Sequence, residues 1–351
     1  MTGDLFRDRN IDYSCSMLEA LRKMDVIDRK LLMVLKGGHF KGLLSAGDIQ
    51  RAIINDFELS TEVSVILRDK IRVAKPNDSY DSVKGMMIEH RMEFCPVVDH
   101  KGVVKDVYFW EDLFGEINPE PMSSFDLPVV IMAGGFGTRL RPLTYVIPKP
   151  MIPINDKTML EEIFSRFGKY GCNRFFISVN YKSDLIKYYL DSQKLPYEID
   201  YFIEEKPMGT AGSMSLLKGK IDTTFFVSNC DILIEQDYSE ILKYHREQNN
   251  EITLVAALKH YDIPYGTLKT GKDGQLKALE EKPALNFKIN SGMYVLEPSL
   301  LDEIPKDEFF HITHLIEKIM KRKGKVGVFP VSEKSWKDMG EWSEYSKLLN
   351  G

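Results

Sequence analysis

Residues 129–151, VVIMAGGFGTRLRPLTYVIPKPM, gather backbone freedom and positive charge behind one apolar stretch. Gly134, Gly135 and Gly137 can take positive φ and bring the main chain close to a ligand. Successive N–H groups in such a turn form a nest for anions. Arg139, Arg141 and Lys149 add charge that fits a polyphosphate.

Two familiar phosphate motifs do not fit this loop. The dinucleotide fingerprint wants a third glycine where Leu140 stands. The P-loop wants Gly-Lys-Ser/Thr, and the chain holds no such triplet. Both motifs run from glycine straight into a helix. Here the glycines run into RPLTYVIPKPMIPI, whose prolines forbid a regular helix. The segment reads as a long, stiff loop that folds back and carries Lys149 to the glycines.

The elements around the loop are those of an α/β sheet. PVVIMA, RFFISVN, EIDYFIE, TFFVSNCDIL and ITLVAAL read as strands. TMLEEIFSRFGKYG, KSDLIKYYLDS, TAGSMSLLKG and DYSEILKYHREQ read as helices between them, the first ending at Gly171. The alternation predicts a mostly parallel sheet with helices on both faces. Ligands of such sheets sit beyond the C-terminal strand ends, where the glycine loop lies.

Residues 115–127, GEINPEPMSSFDL, break the periodic pattern and read as a linker. The expected domains are therefore residues 1–120 and 127–351. The first contains a weak repeat. HFKGLLSAGDIQ and GVVKDVYFWEDLF share a turn, an apolar strand and an acid opening a helix. Gly38 matches Gly102 and Asp48 matches Asp112 at the same offset. SMLEALRKM and DSVKGMMIEHRM precede them as helices, each followed by a strand. One such unit cannot bury its apolar faces alone, but two packed together can.

Composition narrows the partners. The length of 351 residues suits about two domains. A net charge of -5 implies no general affinity for nucleic acid or an anionic membrane. No apolar run approaches the ~20 residues of a membrane span. MTGDLFRDRN lacks the pattern of a signal peptide. Cys15, Cys95, Cys172 and Cys230 are scattered without CxxC spacing, which points to reduced thiols in the cytoplasm.

The glycine loop, with the lysine of PKPM ten residues after Arg139, resembles the signature of sugar-1-phosphate nucleotidyltransferases. The resemblance extends over residues 127–345. It implies a Rossmann-like domain of the GT-A type, with a mixed, mostly parallel sheet. It also implies an activity: joining a nucleoside triphosphate to a sugar 1-phosphate with release of pyrophosphate. Ala133, Gly134, Gly135, Gly137, Thr138 and Arg139 would bind the nucleotide. Arg139, Lys149 and Lys282 would serve catalysis. In EEKPMGTAG, Glu204 would read the base, with Gly209 and Thr210 beside it and Gly212 giving close backbone approach. A carboxylate suits the N1–H and amino group of guanine. In VSNCDIL and WKDMGEW, Asp231 and Asp338 would hold Mg²⁺, a hard cation matched to oxygen donors. Cys230 replaces the family's glycine before the first aspartate. Gly266, Glu281, Lys282, Asn290 and Gly292, from YGTL, EEKP and INSGMY, would line the sugar site.

The N-terminal repeat resembles a pair of CBS motifs, an α+β module that often binds adenine nucleotides. Ser45 and Asp48 keep the family's Ser/Thr-x-x-Asp step toward a ribose, although capping a helix explains them equally. Phe109 stands where the second repeat should carry the hydroxyl. The domain pairing resembles guanylyltransferases of legionaminic acid pathways, which implies GTP and glucosamine 1-phosphate as substrates. Mannose or heptose 1-phosphate, and uridylyl, cytidylyl or thymidylyl transfer, stay open. So does a non-catalytic nucleotide sensor. Paired modules of this kind imply a homo-oligomer.

Overall fold

Three helix starts in this chain are written as a hydroxyl residue followed three positions later by an acid. The computed structural model describes residues 7–350 apart from Lys70, Arg91, 111–112, 114–122 and Glu205. In it Ser16 with Glu19, Ser45 with Asp48, and Thr158 with Glu161 each close a reciprocal capping box. The boxes open the helices Met17–Ile27, Ala46–Ile54 and Met159–Gly168. The chain divides into two units, Met1–Pro119 and Glu120–Gly351.

In the first unit, β1 (Asn10–Asp12), β2 (Leu31–Lys36) and β3 (His39–Ser45) form one sheet. The helix Tyr80–His90, β4 (Phe94–Val98) and β5 (Val104–Phe109) follow. β1 lies parallel to β2 with Asn10 opposite Met33. Ala74 bridges Val97 in the same sense, each residue 64 positions further along, so the repeat seen in the sequence is a repeat of register. The repeats share a core in which Met33 meets Phe94 and Val107. Asp112 and most of the linker lie outside the described residues.

The second unit is built on seven strands in the order β10-β9-β6-β11-β16-β13-β17. These are β6 (Val129–Met132), β9 (Arg174–Val179), β10 (Glu198–Ile203), β11 (Phe225–Asn229), β13 (Ile252–Asp262), β16 (Ala284–Leu296) and β17 (Val326–Ser332). Adjacent strands are parallel except at β16, which is antiparallel to both neighbours. A mixed, mostly parallel sheet results, and the nearly continuous burial of β6, β9 and β11 fits strands covered on both faces. Small ladders join β7 (Pro153–Ile154) to β8 (Lys157–Thr158), β12 (Ile232–Ile234) to β18 (Trp336–Asp338), and β14 (Thr267–Thr270) to β15 (Leu276–Glu280). Among the described residues no helix is long and apolar enough to cross a membrane. All four cysteines are free thiols.

Two sequence expectations are corrected. TAGSMSLLKG contains a 3₁₀ segment, Gly212–Leu217, and no α-helix. The N–H groups of Ala211 and Gly212 both donate to the Phe310 carbonyl, which fixes this end by a tertiary contact. TFFVSNCDIL is not one strand: it breaks at Cys230–Asp231, between β11 and β12. The break is where the carboxylate is delivered.

Candidate active site

The glycine loop leaves β6 at the C-terminal edge of the sheet. Ala133 is buried and its N–H donates to the Ser178 carbonyl at 3.1 Å, which fixes the loop's first residue. Gly137 has φ 63°, and a Cβ there would lie 2.8 Å from Thr144 and 2.9 Å from Lys149. Glycine is thus required for the folding-back read from the prolines. The chain then makes three short 3₁₀ turns, Thr138–Leu140, Leu143–Tyr145 and Lys149–Met151. Gly135 faces open space. Arg141 turns away and lies over the Tyr145 ring at 5.1 Å.

Lys149 is mostly buried and its ammonium donates to Asp231. Arg139 lies 3.7 Å from Asp231, 3.8 Å from Asp338, and donates to Glu341 at 2.8 Å. The two aspartates meet because β12 pairs with β18, setting Ile232 opposite Asp338. The Met339 N–H donates to the Asp231 carbonyl, and Gly340 N–H donates to Asp338 Oδ1 at 2.8 Å. Burial pushes the Asp338 carboxyl above its ordinary range despite the Gly340 hydrogen bond, and the Asp231 charge adds to the rise. Two converging carboxylates, one resisting ionisation, are a donor set that a hard divalent cation would relieve. Among the described residues no cluster of three or more His, Cys, Asp or Glu side chains forms a metal cage. Cys230 is buried beside them, and burial pushes its thiol up to about 12, so it stays a neutral filler.

A cavity of about 150 Å³ opens beside this cluster, lined by Arg139, Asp231, Asp338, Asn290 and Gly292. These five residues, from four separate stretches of the sequence, are gathered in one place. Asn229, Ser291, Tyr294 and Trp336 also line it and were missed by sequence reasoning. Asn290 Nδ2 donates to Tyr294 Oη at 2.8 Å, and Trp336 Nε1 donates to the Ser291 carbonyl at 3.2 Å. Trp336 and Asn229 were both visible as members of quoted stretches, WKDMGEW and VSNCDIL, but neither was singled out. Gly292, φ 87°, has no room for a Cβ beside Asn229. Gly266, Glu281 and Lys282 do not line this cavity. Glu281 and Lys282 are exposed in the turn after β15, and Gly266 abuts the Glu281 carboxylate.

Glu204 is buried at the foot of the glycine loop. It accepts from the Ser178 hydroxyl and from the Met208 N–H, and a Cβ on Gly134 would strike it at 2.9 Å. Gly209 and Gly212 owe their size to the protein itself: a Cβ would meet the Phe310 carbonyl at 2.7 Å or the Glu308 carbonyl at 2.6 Å. Thr210 caps the helix Ile312–Lys321 by accepting from the Ile312 N–H at 3.0 Å.

In the first unit, Ser45 and Asp48 form the helix cap described above. Arg51 and Arg68 both donate to Asp48 Oδ1. Burial raises the Asp48 pKa, but the bonds from Ser45 and Arg68 prevail and leave it below the usual carboxylate range. The pair lines a cavity of about 480 Å³ together with Lys30, Arg68, Arg72 and His90. In the second repeat the Arg9 guanidinium lies over both Phe109 and Phe94, 5.0 Å from each ring, and Arg9 pairs with Glu93. The position where a second hydroxyl was sought is filled by the chain's own cation.

The nucleotidyl transferase family model matches residues 128–350. A mannose-1-phosphate guanylyltransferase catalytic subunit beta from Dictyostelium discoideum is 34% identical over 51% of this chain and 52% of its own. A UTP–glucose-1-phosphate uridylyltransferase from Synechocystis is 28% identical over 64% and 63%. The chain spans about half the length of the curated guanylyltransferases it matches. Crystallised HddC from Yersinia pseudotuberculosis is 28% identical over 64% of this chain and 98% of its own, with a TM-score of 0.51. A second HddC structure, complexed with GMP-PN, aligns with the same TM-score at 27% identity.

Proposed function

Because this chain belongs to the nucleotidyl transferase family, we propose that it transfers a nucleotidyl group from a triphosphate to a sugar 1-phosphate, releasing pyrophosphate. The observation that carries this reading is the convergence of Arg139, Asp231 and Asp338 on one polar cavity, with Lys149 behind Asp231. Both substrates are anions, so repulsion between them is the obstacle. A phosphate oxygen is already a nucleophile, and its in-line attack on the α-phosphorus needs no covalent enzyme intermediate. Catalysis is then positioning plus electrostatic stabilisation. The amides of the glycine loop and Arg139 hold the departing pyrophosphoryl group, with Thr138 beside them. Lys149 stabilises charge at the α-phosphate. Lys282 orients the sugar phosphate, with Gly266, Glu281, Asn290 and Gly292 on the sugar. Asp231 and Asp338 would hold Mg²⁺, which when bound supplies positive charge among the phosphate oxygens.

Guanine is the proposed base. The carboxylate of Glu204 favours it, and guanylyltransferases among the relatives support it. The acceptor is a hexose 1-phosphate. The names of the relatives favour mannose 1-phosphate, and the domain pairing favours glucosamine 1-phosphate of a legionaminic acid pathway. The test is pyrophosphate release across four nucleoside triphosphates and a panel of sugar 1-phosphates, with and without Mg²⁺. GTP with one hexose 1-phosphate should dominate, and EDTA should stop it. No release from any pair would leave a nucleotide sensor as the better reading.

The first unit is proposed to be a CBS pair taking one adenine nucleotide in the Ser45–Asp48 cavity and assembling as a homo-oligomer. Lys30, Arg68 and Arg72 give that cavity the charge for phosphate. Arg9 in the second position supports one nucleotide per chain.

A further inference from the structure

We propose that Glu341 is the resident counter-ion of Arg139 and competes for it with the pyrophosphoryl group; this rests on the triphosphate reading above. Glu341 accepts from Arg139 at 2.8 Å, closer than either metal-site aspartate. Both side chains of the pair are about half exposed, at 55% and 50%, so the pair can be exchanged for another anion.

Glu341 does not depend on that pair for its place. It sits in a segment strapped across the signature loop at three points. The backbone at Gly340 abuts Asp231 and Lys149 so closely that a Cβ would come within 2.4 Å and 2.6 Å of them. Trp342 Nε1 donates to the Arg141 carbonyl at 2.8 Å. Tyr345 is buried and its hydroxyl donates to the Pro153 carbonyl at 2.9 Å. The strap therefore holds a third carboxylate at the mouth, where Asp231 and Asp338 already face Arg139 and Lys149.

An arriving triphosphate finds Arg139 committed and must displace Glu341. A departing pyrophosphate leaves as Glu341 returns. Glu341 touches neither reacting atom and is a positioning residue. It weakens binding of the triphosphate and of pyrophosphate by the same factor, because both use the same guanidinium.

The test is Glu341→Gln, which keeps size and removes charge at an exposed position. Calorimetry with inorganic pyrophosphate and Mg²⁺ should show Kd falling about two- to five-fold, the range of an exposed ion pair. KM for the triphosphate should fall by a similar factor, with a smaller change in kcat. The gain should shrink at high ionic strength. It should vanish when Arg139→Ala is the background. Unchanged or looser pyrophosphate binding in Glu341→Gln overturns the proposal. So does an equal gain in the Arg139→Ala background, or in Trp342→Phe, which frees the strap without changing charge. If the wild-type chain neither binds pyrophosphate nor releases it from any substrate pair, the triphosphate reading falls and takes this proposal with it. Wild-type binding with an unmoved variant sinks the role of Glu341 alone.

Discussion

Asp48 in the first unit and Asp231 in the second are both buried and both held by two cations. Their partners differ in origin. Asp48 takes a hydroxyl and an N–H from Ser45, three residues back, a guanidinium from Arg51, three residues on, and a second guanidinium from Arg68, twenty residues on. Three of these four bonds come from its own helix end. Asp231 receives Lys149 from 82 residues away, and its companion Asp338 arrives through a strand ladder. A carboxylate tied by its own helix is first a piece of that helix. A carboxylate neutralised only by distant elements is held where an exchange of counter-ions can occur.

The largest effect should separate the two directly. Asp231→Asn should lower turnover more than about 100-fold, the scale of losing a preorganised charge, while circular dichroism stays unchanged. Asp48→Asn should leave turnover within about two-fold on the same scale of comparison. Loss of activity in both variants, or in neither, would erase the distinction.

Adding one methyl beside each aspartate should sharpen it. Gly340→Ala places a Cβ 2.4 Å from Asp231 and should cut turnover about ten- to 100-fold by misplacing the cluster. Gly47→Ala meets nothing closer than the Arg51 guanidinium at 3.4 Å and should stabilise its helix by up to about 1 kcal/mol. Kinetics and a thermal melt of each variant decide the matter.

Glu204 tests the rule on a third buried carboxylate, since Ser178 reaches it from another strand. Glu204→Gln opposes a donor to guanine's amino group, a mismatch of about 1–3 kcal/mol. The ratio of GTP to UTP use should fall accordingly. An unmoved ratio would put base reading elsewhere.

Smaller still is Asp48→Ala, which removes the N3 half of the capping box and the partner of two arginines and should cost about 1 kcal/mol of first-unit stability. Calorimetry with AMP, ADP and ATP on the whole chain should show weakened binding in this variant and near-unit stoichiometry in the wild type. Equal affinity would leave Asp48 as a cap alone.

The smallest effect concerns His245, which is buried between Thr253 and Glu297. Burial lowers its pKa below the ordinary 6.5 even though Glu297 pulls the other way. The unfolded chain therefore binds the proton first as pH falls through about 6.5. Second-unit stability should decline from there down to the folded-state pKa and be fully present above. Urea midpoints at pH 7.5 and 5.5 should differ less in His245→Gln than in the wild type.

What was legible in the sequence follows the same line between local and distant. The three capping boxes and the folded-back loop rest on spacings of a few residues and could be read directly. The convergence of Asp231 with Asp338 could be expected only through resemblance, because no local pattern encodes the β12–β18 ladder. Glu341 escaped for that reason, and Asn229 because nothing local marks the last residue of β11 as facing the cavity. The TAGSMSLLKG segment misled because its apolar spacing is helical, whereas Phe310 fixes its first turn from nearly a hundred residues away. Gly209 and Gly212, expected beside the nucleotide, also make room for the Phe310 and Glu308 carbonyls.

The β12–β18 ladder also orders events in time. Residues 129–234 leave the ribosome well before 336–338, and domains consolidate as they emerge. During that interval Asp231 has Lys149 to neutralise it, while Arg139 has neither Asp338 nor Glu341 to turn to. Until the last strand of the ladder arrives, Arg139 has only Asp231, which it shares with Lys149; that strand completes its set of carboxylates.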